Sequence, residues 1–394
     1  MSGKTPNSRV THFGGKDVTN GDVKLGNVGY SGSGFFGNDA FPLTMPIKST
    51  KVNTNGYRPR HLTAVGVIYG VRSADARIFT SVDWGVTWVP IAASSVLPAT
   101  PRQVKKLDSG KLIAFMNSGQ IFVSDVNEAN FVEKYNTNSG INDRFGVDVY
   151  GDLILVGGYG GVNTNKCFIS RDGGETFSLR LTHPSARVSH CHDVRYDPYE
   201  NIIWASSGDY ENDENIFYSN DLGRTWNTTW NTEGGGVIRT TTIIPLPKCV
   251  LFVSDTKGEM FVWRYDRLPS GTEGQLIKPT RAWYYKRDLT VEGDVGGSIP
   301  AITYGANASA FFGWYCYTGS IQAVQSTVFA TKDGYSFTPI YVSPDLMNIV
   351  TSYEAGVFGV FGPTDNNELL AYCVALDDGL TENLAIKIEF PGWG

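Results

Sequence analysis

One short pattern, Ser-x-Asp-x-Gly-x-Thr-Trp, recurs along this chain, and each copy follows an apolar run rich in β-branched and aromatic residues. The clearest copies hold Ser81, Asp83, Gly85, Thr87 and Trp88; Ser170, Asp172, Gly174, Thr176 and Phe177; and Ser219, Asp221, Gly223, Thr225 and Trp226. A shortened copy carries Thr331, Asp333, Gly334, Ser336 and Phe337. These are the residues of a tight turn. An Asp side chain accepts backbone N–H groups a few residues on, Gly supplies a positive φ, and the hydroxyls satisfy further turn groups. The closing aromatic then re-enters an apolar layer.

The pattern resembles the Asp-box (bacterial neuraminidase) repeat, which in its family sits on the turn between the third and fourth strands of a β-propeller blade. The resemblance implies an all-β fold with the box carboxylates on the outer rim, in a structural role. Box positions fall near Ser81, Ser124, Ser170, Ser219, Trp263, Thr331 and Ala375, at spacings of 43, 46, 49, 44, 68 and 44 residues. A four-stranded blade with short turns needs roughly 40 to 50 residues, so the long interval holds an insertion and the count is seven blades. Six or eight remain compatible, because the fifth box is almost erased and the last keeps only Asp377, Gly379 and Thr381.

Composition agrees with one large all-β domain. Among 394 residues, Gly 45, Tyr 20, Phe 21 and Trp 9 accompany only 18% charged residues, and no stretch has helical periodicity. Residues 58–394 are read as the propeller. Residues 1–57 are Gly-, Asn- and Ser-rich and are read as an N-terminal arm, either a leader or a segment that orders on a partner through Phe35, Phe36 and Phe41. Part of it, Phe41–Ile47, has the alternative of adding a strand to the last blade and helping to close the ring.

A net charge of −6 argues against general nucleic-acid binding, and no apolar run is long enough to span a membrane. The first residues lack the apolar core of a signal peptide. Five cysteines, at 167, 191, 249, 316 and 373, sit mostly in apolar runs and are read as buried free thiols. Folding in a reducing cytoplasm, combined with the make-up of an extracellular module, points to a bacteriophage virion component. Its expected partners are other virion or assembly proteins, met through the arm, and surface polysaccharide; no cofactor and no metal are expected.

Two features bear on chemistry. Arg60, Arg102, Arg144 and Arg187 are separated by 42, 42 and 43 residues, with Arg239 following after 52, and each opens a run assigned to an innermost strand. They form either a ring of guanidinium groups holding anions at one end of the channel or a set of pairs with neighbouring turn carboxylates. The second feature is the cluster containing His190, His192, Asp193, Arg195, Asp197, Trp204 and Asp209. On a strand, His190 and His192 point the same way, as a general-base pair or metal ligands would. The cluster is similar to a His-x-His, Asp-Pro, Trp, Gly-Asp stretch of some bacterial Asp-box proteins. Only His61 and His183 remain within the propeller to complete a metal set, and satisfied channel-wall histidines are the preferred reading. The loop Asp209, Glu211, Asp213 and Glu214 lacks the spacing of an EF-hand and reads as a solvated hairpin tip.

The family resemblance also raises sialidase activity. Tyr57-Arg58-Pro59 lacks the Ile of that family's arginine motif, and Tyr353 and Glu354 are adjacent, so on a strand they face opposite sides and cannot act as a pair. The chain is therefore read as a non-enzymatic structural or carbohydrate-binding propeller. A glycoside hydrolase or lyase acting on acidic polysaccharide at the channel mouth is the alternative.

Overall fold

The computed structural model describes residues 48–73, 75–91, 97–142, 146–183, 190–208, 215–231, 240–254, 259–267, 280–286, 301–302, 313–317, 327–331, 338–342, 356–366, 368–377 and 380–389. All regular structure among them is β. In chain order the strands are β1 (Lys48–Asn53), β2 (Tyr57–Leu62), β3 (Ile68–Arg72), β4 (Ile78–Ser81), β5 (Val89–Pro90), β6 (Gln103–Lys106), β7 (Leu112–Phe115), β8 (Gln120–Val123), β9 (Val132–Asn136), β10 (Ser139–Gly140), β11 (Val147–Tyr150), β12 (Leu153–Gly157), β13 (Gly160–Gly161), β14 (Lys166–Ser170) and β15 (Ser178–Thr182). They continue with β16 (His190–Asp197), β17 (Ile202–Gly208), β18 (Asn215–Ser219), β19 (Asn227–Asn231), β20 (Thr240–Pro245), β21 (Cys249–Ser254), β22 (Glu259–Asp266), β23 (Thr280–Lys286), β24 (Ala301–Ile302), β25 (Gly313–Tyr317), β26 (Thr327–Thr331), β27 (Thr338–Val342), β28 (Gly356–Phe361), β29 (Glu368–Asp377) and β30 (Leu380–Glu389).

These strands build seven four-stranded antiparallel sheets among the described residues, as the box spacing predicts. Six are local meanders: β2 to β5, β6 to β9, β11-β12-β14-β15, β16 to β19, β20 to β23 and β24 to β27. The seventh takes β28, β29 and β30 from the end of the chain and β1 from near its start. Lys48 pairs with Glu389 and Asn53 with Leu384, so the outer strand of the last sheet comes from the segment assigned to the arm. Ring closure thus uses Lys48–Asn53, just beyond the Phe41–Ile47 run singled out in the sequence, which lies outside the described residues. Supplying β1 covers the edge that β30 would otherwise present and joins the two ends of the chain in one sheet.

Among the described residues, apolar side chains fill the four gaps between the first five sheets. Tyr69, Val71 and Ile78 of the first sheet meet Val104, Leu112 and Phe122 of the second. Ile113, Phe115 and Ile121 of the second meet Ile154, Val156 and Phe168 of the third. Further round, Leu155 and Ile169 meet Val194, Ile203 and Ala205, and Trp204 and Ile216 meet Ile243, Val250 and Phe252. Burial on both faces explains why these strands read as continuous apolar runs rather than as alternating ones. First strands contact first strands around the ring, as in β2 with β6, β11 with β16, β16 with β20, β20 with β24, and β28 with β2. The result is a single β-propeller whose axis is lined by these first strands.

Candidate functional site

The boxes and the inner wall are the two places where polar residues are organised. In the first box Ser81 Oγ donates to Asp83 Oδ1 at 2.8 Å and accepts the Gly85 amide at 2.8 Å, while Asp83 accepts the Thr87 amide at 2.9 Å and the Thr87 hydroxyl at 2.6 Å. Ser170 with Asp172, and Ser219 with Asp221, repeat this arrangement. All three turns link a third strand to a fourth, on the outer rim. Their carboxylates serve the turn and do not point to a reaction.

Gly223 shows what the glycine contributes beyond its φ of +80°. A Cβ there would lie 2.4 Å from Ile169 Cδ1 of the preceding sheet. The box glycine is therefore also the place where one sheet's turn closes on its neighbour's core. Asp377 takes a different position: it ends β29 and pairs with Leu380 of β30, joining a second strand to a third. It is not a third-to-fourth turn, because the fourth strand of that sheet comes from the other end of the chain. Asp333 lies outside the described residues.

On the inner wall, Asp193 is fully buried in β16. Its Oδ1 accepts the Gly146 amide at 3.1 Å, and its Oδ2 accepts Arg195 Nε at 3.0 Å and the Ile243 amide at 2.9 Å. Those donors come from the third, fourth and fifth sheets. Burial raises the pKa of Asp193, against the pull of Arg195 and the two amides. Arg195 continues the chain of contacts to Asp148 Oδ1 at 3.4 Å, and Asp148 Oδ2 accepts the Tyr196 amide at 2.9 Å. Asp193 and Arg195, expected to hold a ligand, bridge three sheets through these bonds.

Asp197 does the same a few residues on. Also fully buried, it receives Arg267 through Nη1 at 2.6 Å and Nη2 at 2.9 Å, and the Tyr199 amide at 3.0 Å. Arg267 Nε also donates to the Leu246 carbonyl at 3.0 Å. The Asp-Pro and Trp portions of the motif are thus the joint between the fourth and fifth sheets, where Trp204 packs against Phe252 and Tyr265.

His190 and His192 do come together, with ring centroids 4.7 Å apart, and Tyr159 stands 4.1 Å from His190. The register between β16 and β17 shifts around His192, and such a bulge re-aims a side chain. His192 is buried, and its Nδ1 lies 3.1 Å from the Thr240 carbonyl. A carbonyl only accepts, so that nitrogen carries the proton. Among the described residues, no group of three metal-ligating side chains includes His190, His192 or His61.

Of the spaced arginines, Arg60 is buried in β2 at another irregular position, while Arg102 precedes β6, its amide donating to Phe115. Arg144, Arg187 and Arg239, and with them Asp209, lie outside the described residues. The structure adds a cation that the arginine spacing does not reveal. Lys105 of β6 is buried, and its amino group is lowered to about 7 by burial and by the charges of Arg195 and Arg60, partly offset by Asp148 and Asp193. Counting arginines alone misses it, since Val104-Lys105-Lys106 carries no distinguishing pattern.

Cys167, Cys191 and Cys249 are buried and free, as their apolar contexts predict. What sequence reasoning does not find is that Cys167 and Cys191 face each other beside His183. No short motif announces this, because the residues lie on different strands.

No family model matches this chain, and no curated protein matches it. Solved structures match its fold. It is similar to YCF48 from Cyanidioschyzon merolae at 10% identity, with 86% of this chain and 98% of that one covered and a TM-score of 0.50. The β-propeller domain of Cps50 (Swd1) from Myceliophteria thermophila is similar at 8% identity, covering 86% and 99%, with a TM-score of 0.54. An ancestral GH74 enzyme is similar at 11% identity over 83% of this chain and 47% of that chain, with a TM-score of 0.52. At such identities the shared property is the β-propeller fold, and fold alone does not fix a function.

Proposed function

We propose that this protein is a non-catalytic β-propeller that serves as a structural and receptor- or carbohydrate-binding part of an extracellular assembly, a phage virion. In this reading the segment before the ring docks on other assembly proteins and the propeller displays its rim and channel mouth. The observation that carries it is the occupation of Asp193: its carboxylate, buried and met by three donors, is committed to joining sheets. A general acid or nucleophile needs access to substrate, and this group has none. The buried thiols support folding in a reducing compartment.

Acidic polysaccharide is the ligand class proposed for the channel mouth; Arg60, Lys105 and Arg195 are buried and act there through their field, not by contact. Incubating the purified full chain with neutral and acidic polysaccharides, while following product release and retention, tests this. Retention of acidic polymer without product is expected. Product release would overturn the reading in favour of a hydrolase or lyase, with His190 and His192 the first positions to substitute.

A further inference from the structure

We propose that Cys167, His183 and Cys191 form a buried three-ligand zinc site between the third and fourth sheets. Cys167 lies on β14, His183 follows β15 and Cys191 lies on β16, and their ligand atoms all fall within 4.8 Å of one another. The three residues are 0%, 1% and 1% exposed.

Three observations point to an ion there. Both ring nitrogens of His183 are buried and neither meets hydrogen-bond geometry, the Cys167 thiol being a near polar neighbour, although an imidazole removed from water ordinarily makes a well-formed bond. The two sulfurs stand 3.4 Å apart. That is far beyond a disulfide bond and close to the separation of about 3.8 Å that two thiolates keep on a tetrahedral zinc ion. Gly157 makes room for them: a Cβ there would lie 2.6 Å from Cys191 Sγ.

The backbone fixes these positions. The Cys191 amide donates to the carbonyls of Gly158 and Thr164, both at 2.9 Å, and the His183 amide donates to Asn165 at 2.9 Å. Leu155, Leu181, Ala205 and Phe217 surround the group. Three protein ligands leave the fourth tetrahedral position of zinc to a water, and the apolar shell around them selects the metal by charge. Zn²⁺ with two thiolates and a neutral imidazole is electrically neutral, whereas Cu⁺ would leave a buried negative charge. Soft sulfur and nitrogen donors disfavour Ca²⁺ and Mg²⁺. Binding replaces two S–H bonds with two Zn–S bonds and releases two protons to solvent. The ion clips the outer half of one sheet to the first strand of the next.

The test uses the full chain, reduced and freed of metal, titrated with Zn²⁺ and, as a spectroscopic probe, Co²⁺, both in the native state and during refolding. About one equivalent retained through gel filtration is expected, with a thiolate-to-cobalt charge-transfer band. The band should vanish in Cys167→Ser and Cys191→Ser and survive in Cys249→Ser. Gly157→Ala, which keeps all three ligands, should weaken binding at least about tenfold by displacing the Cys191 sulfur. Absence of a band in the wild-type chain under both conditions overturns the proposal without recourse to any variant. So does a band that persists in the folded serine variants, or facile oxidation to a Cys167–Cys191 disulfide with no metal uptake.

Discussion

Arg267 grips Asp197 through two parallel N–H···O bonds of 2.6 and 2.9 Å, tying the link after β22 of the fifth sheet to the end of β16 in the fourth. Asp197 is fully buried, so removing the guanidinium leaves a charge without its partner. Arg267→Ala is expected to cost about 3–5 kcal/mol in chemical denaturation of the full chain. Arg267→Lys should recover only part of this, since an ammonium cannot present the two-pronged fork. A loss within about 0.5 kcal/mol would show that the pair is not a joint.

Asp193 should behave as a structural and not as a catalytic residue. Asp193→Asn keeps the shape but turns an amide N–H₂ toward groups that only donate, and a loss of about 3 kcal/mol or more is expected. Combined with Arg195→Met, the two losses should be far from additive, because both remove one network. Additive effects in equilibrium unfolding would refute the shared network.

Lys105 predicts a pH dependence whose sign can be worked out. Its amino group titrates near 7 in the fold instead of the ordinary 10.5. Between these values the unfolded chain holds a proton that the folded chain does not, so stability rises with pH across that window. The penalty of burying the charge is complete below about pH 7 and relieved above it. Lys105→Met is therefore expected to stabilise the protein most at about pH 6 and to flatten the rise, read from urea midpoints at several pH values.

The box carboxylates act with the same sign, but in the acid range. Hydrogen bonds from the Thr225 amide and hydroxyl hold Asp221 well below its ordinary range; for Asp83 and Asp172, bonds from Thr87 and Thr176 outweigh an opposing desolvation. Their contribution is present above pH 3.8 and lost as pH falls through the lowered values. Replacing all three with Asn should lower the thermal midpoint at neutral pH and make acid unfolding shallower. An unchanged acid limb would mean that the boxes are energetically idle.

Two glycines with nearly equal φ separate backbone strain from packing. Gly110, at φ +85°, has only the Val126 carbonyl within 4 Å of an added Cβ, at 3.8 Å, whereas Gly223, at φ +80°, would meet Ile169 Cδ1 at 2.4 Å. Gly110→Ala should cost about 1–2 kcal/mol and Gly223→Ala clearly more. Adding Ile169→Val to the latter should return part of the difference. Equal losses at both sites would remove the inter-sheet role of the box glycine.

Local chemistry made much of this protein legible in its sequence. Turn residues act over four to six positions, so Ser81, Asp83 and Gly85 announce their turn without reference to anything distant, and their recurrence counts the sheets. Asp377 carries turn residues like the others but joins different strands, and the sequence does not show that Gly146 and Ile243 reach Asp193 from neighbouring sheets. Pairing of Lys48–Asn53 with β30, the joint of Asp197 with Arg267, and the meeting of Cys167, His183 and Cys191 depend on which strands become neighbours when the ring closes. Sequence by itself determined the repeating unit, because its turns are stabilised within the unit. Only the tertiary structure decided what the inner polar residues do, because a buried charge takes its role from the donors that packing brings to it.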